Sequence, residues 1–254
     1  MTINRLLAVR WMTGIALMGF CAVKAPSSAA GVKVEEKRLP AVVIAYSRAM
    51  DSLSSTRGPA AIERLYSLGM QVRDSLLLGE MLDKMDDSTF VAVQRRMRGF
   101  WLEREVFEAV VPEASFFLAL AKSRGGQADT AFFAALLSTY GDGGALPAYA
   151  KQLTDEASCT DFGTGELVKA YGIWDQFSVR YPTQYSRWAR EEMEQVREEL
   201  VEGTCACKDS VSVIREMRLF LRRFPGSDLS PSVKGHLEEI ERGEHAMRYN
   251  CQPG

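Results

Sequence analysis

Apolar residues recur at spacings of three and four along most of this chain, the period of an α-helix with one buried face. Pro40 suits the first turn of a helix running to about Ser54, because its missing N–H has no partner there in any case. Ser54–Pro59 reads as a turn, and Pro59 opens a second helix carrying Leu65, Leu68, Val72 and Leu76. Asp86-Asp87-Ser88 is an N-cap cluster ahead of a third helix over Thr89–Met97. The stretch 99–111 fits neither period: Trp101, Val106, Phe107, Val110 and Val111 suit a short strand pair or extended segment as well as a helix. After Pro112 the pattern becomes regular. Helices are expected over Glu113–Ser123 with Phe116, Phe117 and Leu120, and over Ala128–Thr139 with Phe132, Phe133 and Leu136. The run Gly141–Gly144 is a loop, and Pro147 starts a short helix ending near Leu153.

The strongest pattern is an internal repeat. Trp174-Asp-Gln-Phe-Ser-Val-Arg-Tyr-Pro182 aligns without a gap on Met217-Arg-Leu-Phe-Leu-Arg-Arg-Phe-Pro225, at an offset of 43 residues. Leu167, Tyr171 and Trp174 mark the first helix of one copy, and Ile214, Met217 and Leu221 that of the other. The second helices carry Ala189, Met193, Val196 and Leu200, and Val233, Leu237 and Ile240. Each unit is an αα-hairpin that must stack on a neighbour to bury its apolar stripe. The aromatic-proline corner stops each first helix, since a residue before proline is pushed out of the α region. Ser230 followed by Pro231 caps and opens the last helix, which is expected to reach about Met247. The fold class is therefore mainly α, built of stacked antiparallel helical hairpins.

A helix ending in an aromatic residue and proline, followed by a second helix, resembles the tetratricopeptide-like (TPR-like) repeats of bacterial envelope assembly and coordination proteins. The resemblance covers Leu167–Leu200 and Val211–Ile240, about a quarter of the chain. It departs from that family in its 43-residue offset, against ~34, and in the cysteines of its loops. It implies protein binding on a concave helical face rather than catalysis. Tyr171, Trp174, Tyr185 and Trp188 are the residues expected to line such a groove.

The first thirty residues read as an address. Arg5 and Arg10 precede thirteen uncharged residues, Trp11–Val23, and Lys24 leads into Ala25-Pro-Ser-Ser-Ala-Ala30. This is the pattern of a secretory signal peptide cut after Ala30, and its apolar run is short of the ~20 residues that span a bilayer. A lipoprotein anchored through Cys21 is the weaker alternative, because Phe20 stands where a small residue is expected. The expected organisation is thus a signal peptide over 1–30, an N-terminal helical region over 31–111 of undetermined fold, and a hairpin-repeat region over 112–254. No membrane span is expected after cleavage.

Cleavage changes the charge. The full chain has 31 Lys and Arg against 33 Asp and Glu; losing Arg5, Arg10 and Lys24 leaves 28 against 33, a net −5. Arg95, Arg96 and Arg98 are the one tight basic cluster, so nucleic acid is not an expected partner. Four of the five cysteines remain: Cys159, Cys205, Cys207 and Cys251. An even number in an exported chain points to disulfides. They flank the two hairpins in order, so each hairpin is expected to be closed at its open end, Cys159 to Cys205 and Cys207 to Cys251. A bond between Cys205 and Cys207 would need a strained ring.

Motifs of catalysis are missing from the sequence: it holds no G-x-S-x-G, H-E-x-x-H, S-x-x-K or P-loop. Gly163-Thr-Gly165 lacks the strand-then-helix context of a phosphate cradle and reads as a loop. Glu191, Glu192, Glu194, Glu198 and Glu199 alternate with Arg187, Arg190 and Arg197, as on a salt-bridged solvated face. Asp155, Asp161 and Glu166 form an acidic patch around Cys159. His236 and His245, nine apart on one helix, would face opposite ways and share no metal. No cofactor is implied. The expected function is that of an exported, non-catalytic interaction or scaffold module of the cell envelope, periplasmic or secreted, whose partner is a protein or peptide. Two alternatives are a periplasmic inhibitor or immunity-type binding protein, and an envelope hydrolase with a carboxylate site dispersed along the sequence.

Overall fold

The computed structural model describes residues 39–53, 60–79, 81–105, 108–154 and 157–251. The expected signal peptide with Cys21, and Val106, Phe107 and Asp155, lie outside them. Among the described residues the chain is mainly α, with nine helices and two small antiparallel strand pairs. Helices α1 (Ala41–Ser52), α2 (Ala61–Leu78) and α3 (Asp87–Arg96) lead into β1 (Phe100–Glu103) and β2 (Ala109–Pro112). The stretch that fits neither period is therefore a strand pair, registering Trp101 opposite Val111 and Leu102 opposite Val110. Then come α4 (Ala114–Arg124), α5 (Gln127–Tyr140), β3 (Ala150–Gln152) and β4 (Ser158–Thr160). Two hairpins end the chain: α6 (Glu166–Arg180) with α7 (Ser186–Val201), and α8 (Ser210–Arg223) with α9 (Ser230–Arg242).

Local chemistry sets several boundaries. Asp86 caps α3 by accepting the Thr89 N–H at 2.9 Å, and Asp209 caps α8 by accepting the Ser212 N–H at 2.9 Å. The hydrogen bonds from Ser88 and Thr89 hold the Asp86 carboxyl down to about 2. Three expectations are corrected. After Pro147 the chain forms a turn and then β3, whose Lys151 pairs with Cys159, so no helix forms there. The N-cap of α9 is Leu229, and the Ser230 hydroxyl instead donates to the Phe224 carbonyl at 2.6 Å. The same helix stops at Arg242, because Gly243 takes the left-handed conformation, φ 72°, that ends helices.

The repeat is reproduced in the backbone. Tyr181 and Phe224, each following the last residue of the first helix of its hairpin, have φ, ψ of −132°, 63° and −129°, 55°. Each N–H donates to the carbonyl of the aromatic four residues earlier, Phe177 or Phe220, at 2.8 Å. Arg180 and Arg223 lie over the Tyr181 and Phe224 rings. The hairpins stack, α6 on α8 and α7 on α9.

Two clusters of buried side chains run through the molecule. The first joins α1–α5 to one face of α6 and α7, with Tyr66 set edge-on to Phe117, Phe132, Phe133 and Trp188. The second lies between the two C-terminal hairpins and includes Phe162, Val196, Met217, Phe220 and Val233. The two clusters meet at α6 and α7. Phe100 lies against Gly69 of α2 so closely that a Cβ there would come within 2.4 Å of its ring, which explains a glycine inside that helix.

Candidate functional site

A cleft of about 650 Å³ is bounded by α2, β2, the loop after α5, the β3–β4 hairpin and α7. Its volume is that of a ligand site. Met70, Leu77, Val110, Val111, Leu136 and Leu146 give it apolar walls. Leu78, at the rim, is 87% exposed.

The polar groups of the cleft converge from α2, α5 and α7. The Tyr140 hydroxyl lies 3.0 and 3.1 Å from the two carboxylate oxygens of Glu192 and 3.3 Å from Oε1 of Gln195. Burial pushes the Glu192 carboxyl up to about 7; the Tyr140 hydrogen bond and the positive charge of Arg73 hold it down, and Glu191 pushes it further up. The Tyr140, Tyr66 and Tyr149 hydroxyls, also desolvated and near this carboxylate, are all pushed upward. Arg73 is committed to Asp74, with contacts of 2.8 and 3.0 Å. Glu108 accepts the Asp83 N–H at 3.1 Å. Among the described residues, none forms a salt bridge to Glu192.

Sequence reasoning placed Glu192 on a solvated face, and only part of that face is one. Arg187 and Glu191 pair at 2.9 Å in solvent, whereas Glu192 turns into the cleft. Glu199 accepts the Thr160 hydroxyl and is pushed up by burial. A signal for both was present. Glu192 follows Ala189 by three and precedes Val196 by four, and Glu199 follows Val196 by three, so both lie on the apolar stripe of the helix.

The four aromatics expected to line a binding groove are instead core residues. Tyr171, Trp174, Tyr185 and Trp188 are all buried. Tyr171 packs on Phe220 and Phe224, with its hydroxyl 2.6 Å from Ser227 Oγ. The Trp174 indole donates to Thr139 Oγ1 at 3.1 Å. Tyr185 stacks on Phe132 at 4.0 Å and donates to Asp129 at 2.6 Å. These rings face the adjoining helices because α6 and α7 are covered on both sides, by the N-terminal helices and by the second hairpin.

All four cysteines are in disulfides, and the expected pairing is corrected. Cys159 bonds Cys207 and Cys205 bonds Cys251. The loop 204–208 is an extended segment between β4 and the C-terminal segment. Thr160 donates to Cys205 O and accepts from Cys207 N–H, each at 3.0 Å, while Ala206 N–H reaches Arg248 O at 2.9 Å. Backbone register, not the ends of the helices, decides which sulfurs meet. The supposed acidic patch is also dispersed. Asp161 lies 2.6 Å from both Lys151 and Lys208; burial raises its carboxyl, but the two lysines more than offset this and hold it low. Glu166 pairs with Lys169.

The histidines do not face opposite ways. Because the chain reverses after Gly243, the rings of His236 and His245 lie 4.1 Å apart. His236 Nδ1–H donates to Leu200 O at 2.9 Å, and His245 Nδ1 accepts the Met247 N–H at 3.0 Å. Among the described residues, no group of three or more His, Cys, Asp or Glu side chains is placed to hold a metal. No helix there is long and apolar enough to cross a membrane. Compared with models of protein families, with curated proteins and with solved structures, the chain matches none.

Proposed function

We propose that this chain is an exported, non-catalytic interaction module of the cell envelope, and that it holds a segment of a partner protein in the cleft between α2, β2 and α7. The observation that carries the reading is the cleft itself, about 650 Å³ with apolar walls and an exposed Leu78 on its rim. A concavity with apolar walls and a few polar groups is the usual form of a recognition site. The two disulfides support export, because such bonds persist in oxidising compartments. The aromatic-proline repeat of the sequence supports a tetratricopeptide-like scaffold, with the binding face moved from the buried aromatics to the cleft.

A hydrolase is the second reading, favoured by Glu192 alone. A carboxyl half-protonated near neutral pH suits a general acid. The other two carboxylates of the lining, Asp74 and Glu108, are engaged by Arg73 and by the Asp83 amide, so the binding reading is preferred. Photo-crosslinking in the cells that export the chain tests it. A photoreactive residue in place of Leu78 should give an adduct of discrete mass. The same residue in place of Val179, exposed on α6 and outside the cleft lining, should give none. Equal labelling at the two positions, or none at Leu78, would overturn the reading.

A further inference from the structure

The lining of the cleft carries more negative charge than positive. Of its four charged side chains three are carboxylates, and the one cation, Arg73, is already paired with Asp74. Glu192 faces Arg73 and Tyr66 from α2, Tyr140 from α5 and Tyr149 from the loop that follows, with Glu191 beside it on α7. Its donor is a phenol rather than a cation. A carboxylate in an apolar cleft without a cationic partner is costly, and a ligand ammonium would supply what is missing.

One wall of the cleft is β2, which is paired on one side only. The Glu113 N–H bonds Gly99 O at 2.8 Å, so by antiparallel alternation Val110 turns its N–H and C=O away from β1.

We propose that the occupant of the cleft is a peptide segment of a partner protein in which a lysine flanked by apolar residues places its ammonium on Glu192. The inference rests on the binding reading above and names the chemistry of its ligand. The apolar flanks fill the walls made by Leu77, Val110 and Leu146, and the ammonium replaces the missing counter-charge.

The test uses the full chain with its disulfides formed and two fluorescent pentapeptide pools with blocked ends. One pool has a central lysine flanked by Val, Leu, Ile or Phe; the other has norleucine in its place. At pH 8 the lysine pool should bind about tenfold tighter or more. This preference should vanish in Glu192→Gln and shrink at pH 5.5, where Glu192 is protonated. Gln195→Lys, which adds a competing ammonium beside Glu192, should abolish lysine binding. Circular dichroism identifies any variant that fails to fold, and the two substitutions serve as independent checks. Equal binding of both pools, a norleucine preference, no binding of either, or full binding by Gln195→Lys would each overturn the proposal. Hexylamine displacing the lysine pool at equal concentration would overturn it too, by showing that the amine alone is the ligand. A labelled Leu78 position alongside any of these failures leaves the binding reading standing; loss of that labelling sinks both.

Discussion

The carboxylate of Glu216 on α8 accepts the backbone N–H of Gly165, at the start of α6, at 2.8 Å. The same oxygen accepts the Gly163 N–H at 2.8 Å, and the other accepts the Val168 N–H at 3.2 Å. Glu216 is 1% exposed. Gly163 and Gly165 have φ of 83°, a conformation that favours glycine and turns successive amides toward one point. The loop therefore is an anion cradle, filled from within by a side chain 51 residues away. It joins the two hairpins by the positive end of one helix and a charge on the next.

Glu216→Gln should accordingly destabilise the chain by about 1.5–3 kcal/mol, the range for hydrogen bonds to a charged group. The amide would retain one acceptor and turn an N–H₂ toward the cradle. Urea unfolding measures the loss. A change below ~0.5 kcal/mol would show that the three amides find other partners.

Tyr185 fixes a second junction. Its N–H donates to Glu63 of α2 and its hydroxyl to Asp129 of α5, each at 2.6 Å. Its backbone is left-handed, φ 53°, which is uncommon for a tyrosine. Tyr185→Phe keeps the stack on Phe132 but leaves the buried Asp129 with one donor fewer, the Gly126 N–H remaining. We expect a loss of about 1–3 kcal/mol by thermal unfolding, with the fold retained. A loss in Asp129→Asn/Tyr185→Phe equal to the sum of the single losses would show that the pair is not coupled.

Non-reducing peptide mapping should give Cys159 linked to Cys207 and Cys205 linked to Cys251. Replacing Cys205 and Cys251 by alanine should lower stability by about 2–4 kcal/mol and speed amide exchange in the segment after Gly243. That tail would then be held by its backbone bonds to Thr204, Ala206 and Lys208. A Cys159–Cys205 peptide, or unchanged exchange in the tail, would contradict this arrangement.

The helices were legible because their apolar residues keep period and their caps are local, as at Asp86. The repeat was legible because Phe177 and Phe220 hold equivalent corners. Disulfide pairing was not, since it depends on how residues 204–208 register between two other segments. The aromatics misled for a related reason: Tyr171 and Trp188 have the spacing of a helix face, but spacing does not say what covers it. The cleft joins residues from Tyr66 to Gln195, so no linear motif marks it. Glu192 alone left a trace, a charged residue on the apolar stripe of its helix.

That residue also predicts how stability varies with pH. Glu192 titrates at 4.5 when unperturbed and is pushed by burial to about 7 in the fold. Between those values the folded state holds a proton that the unfolded state has released. Its contribution is therefore fully present below pH 4.5 and is lost as pH rises through 7. A shift of this size corresponds to at most ~3 kcal/mol, and partial exposure of the side chain reduces it to about 1–3 kcal/mol. Glu199, also pushed up, acts in the same direction and is present in both proteins compared. Glu192→Gln removes the titration while keeping an acceptor for Tyr140. The melting temperature of the variant relative to the parent should rise between pH 5 and pH 8 by about 2–8 °C. Scanning calorimetry across that range measures it, and a constant difference would mean that Glu192 is ionised throughout.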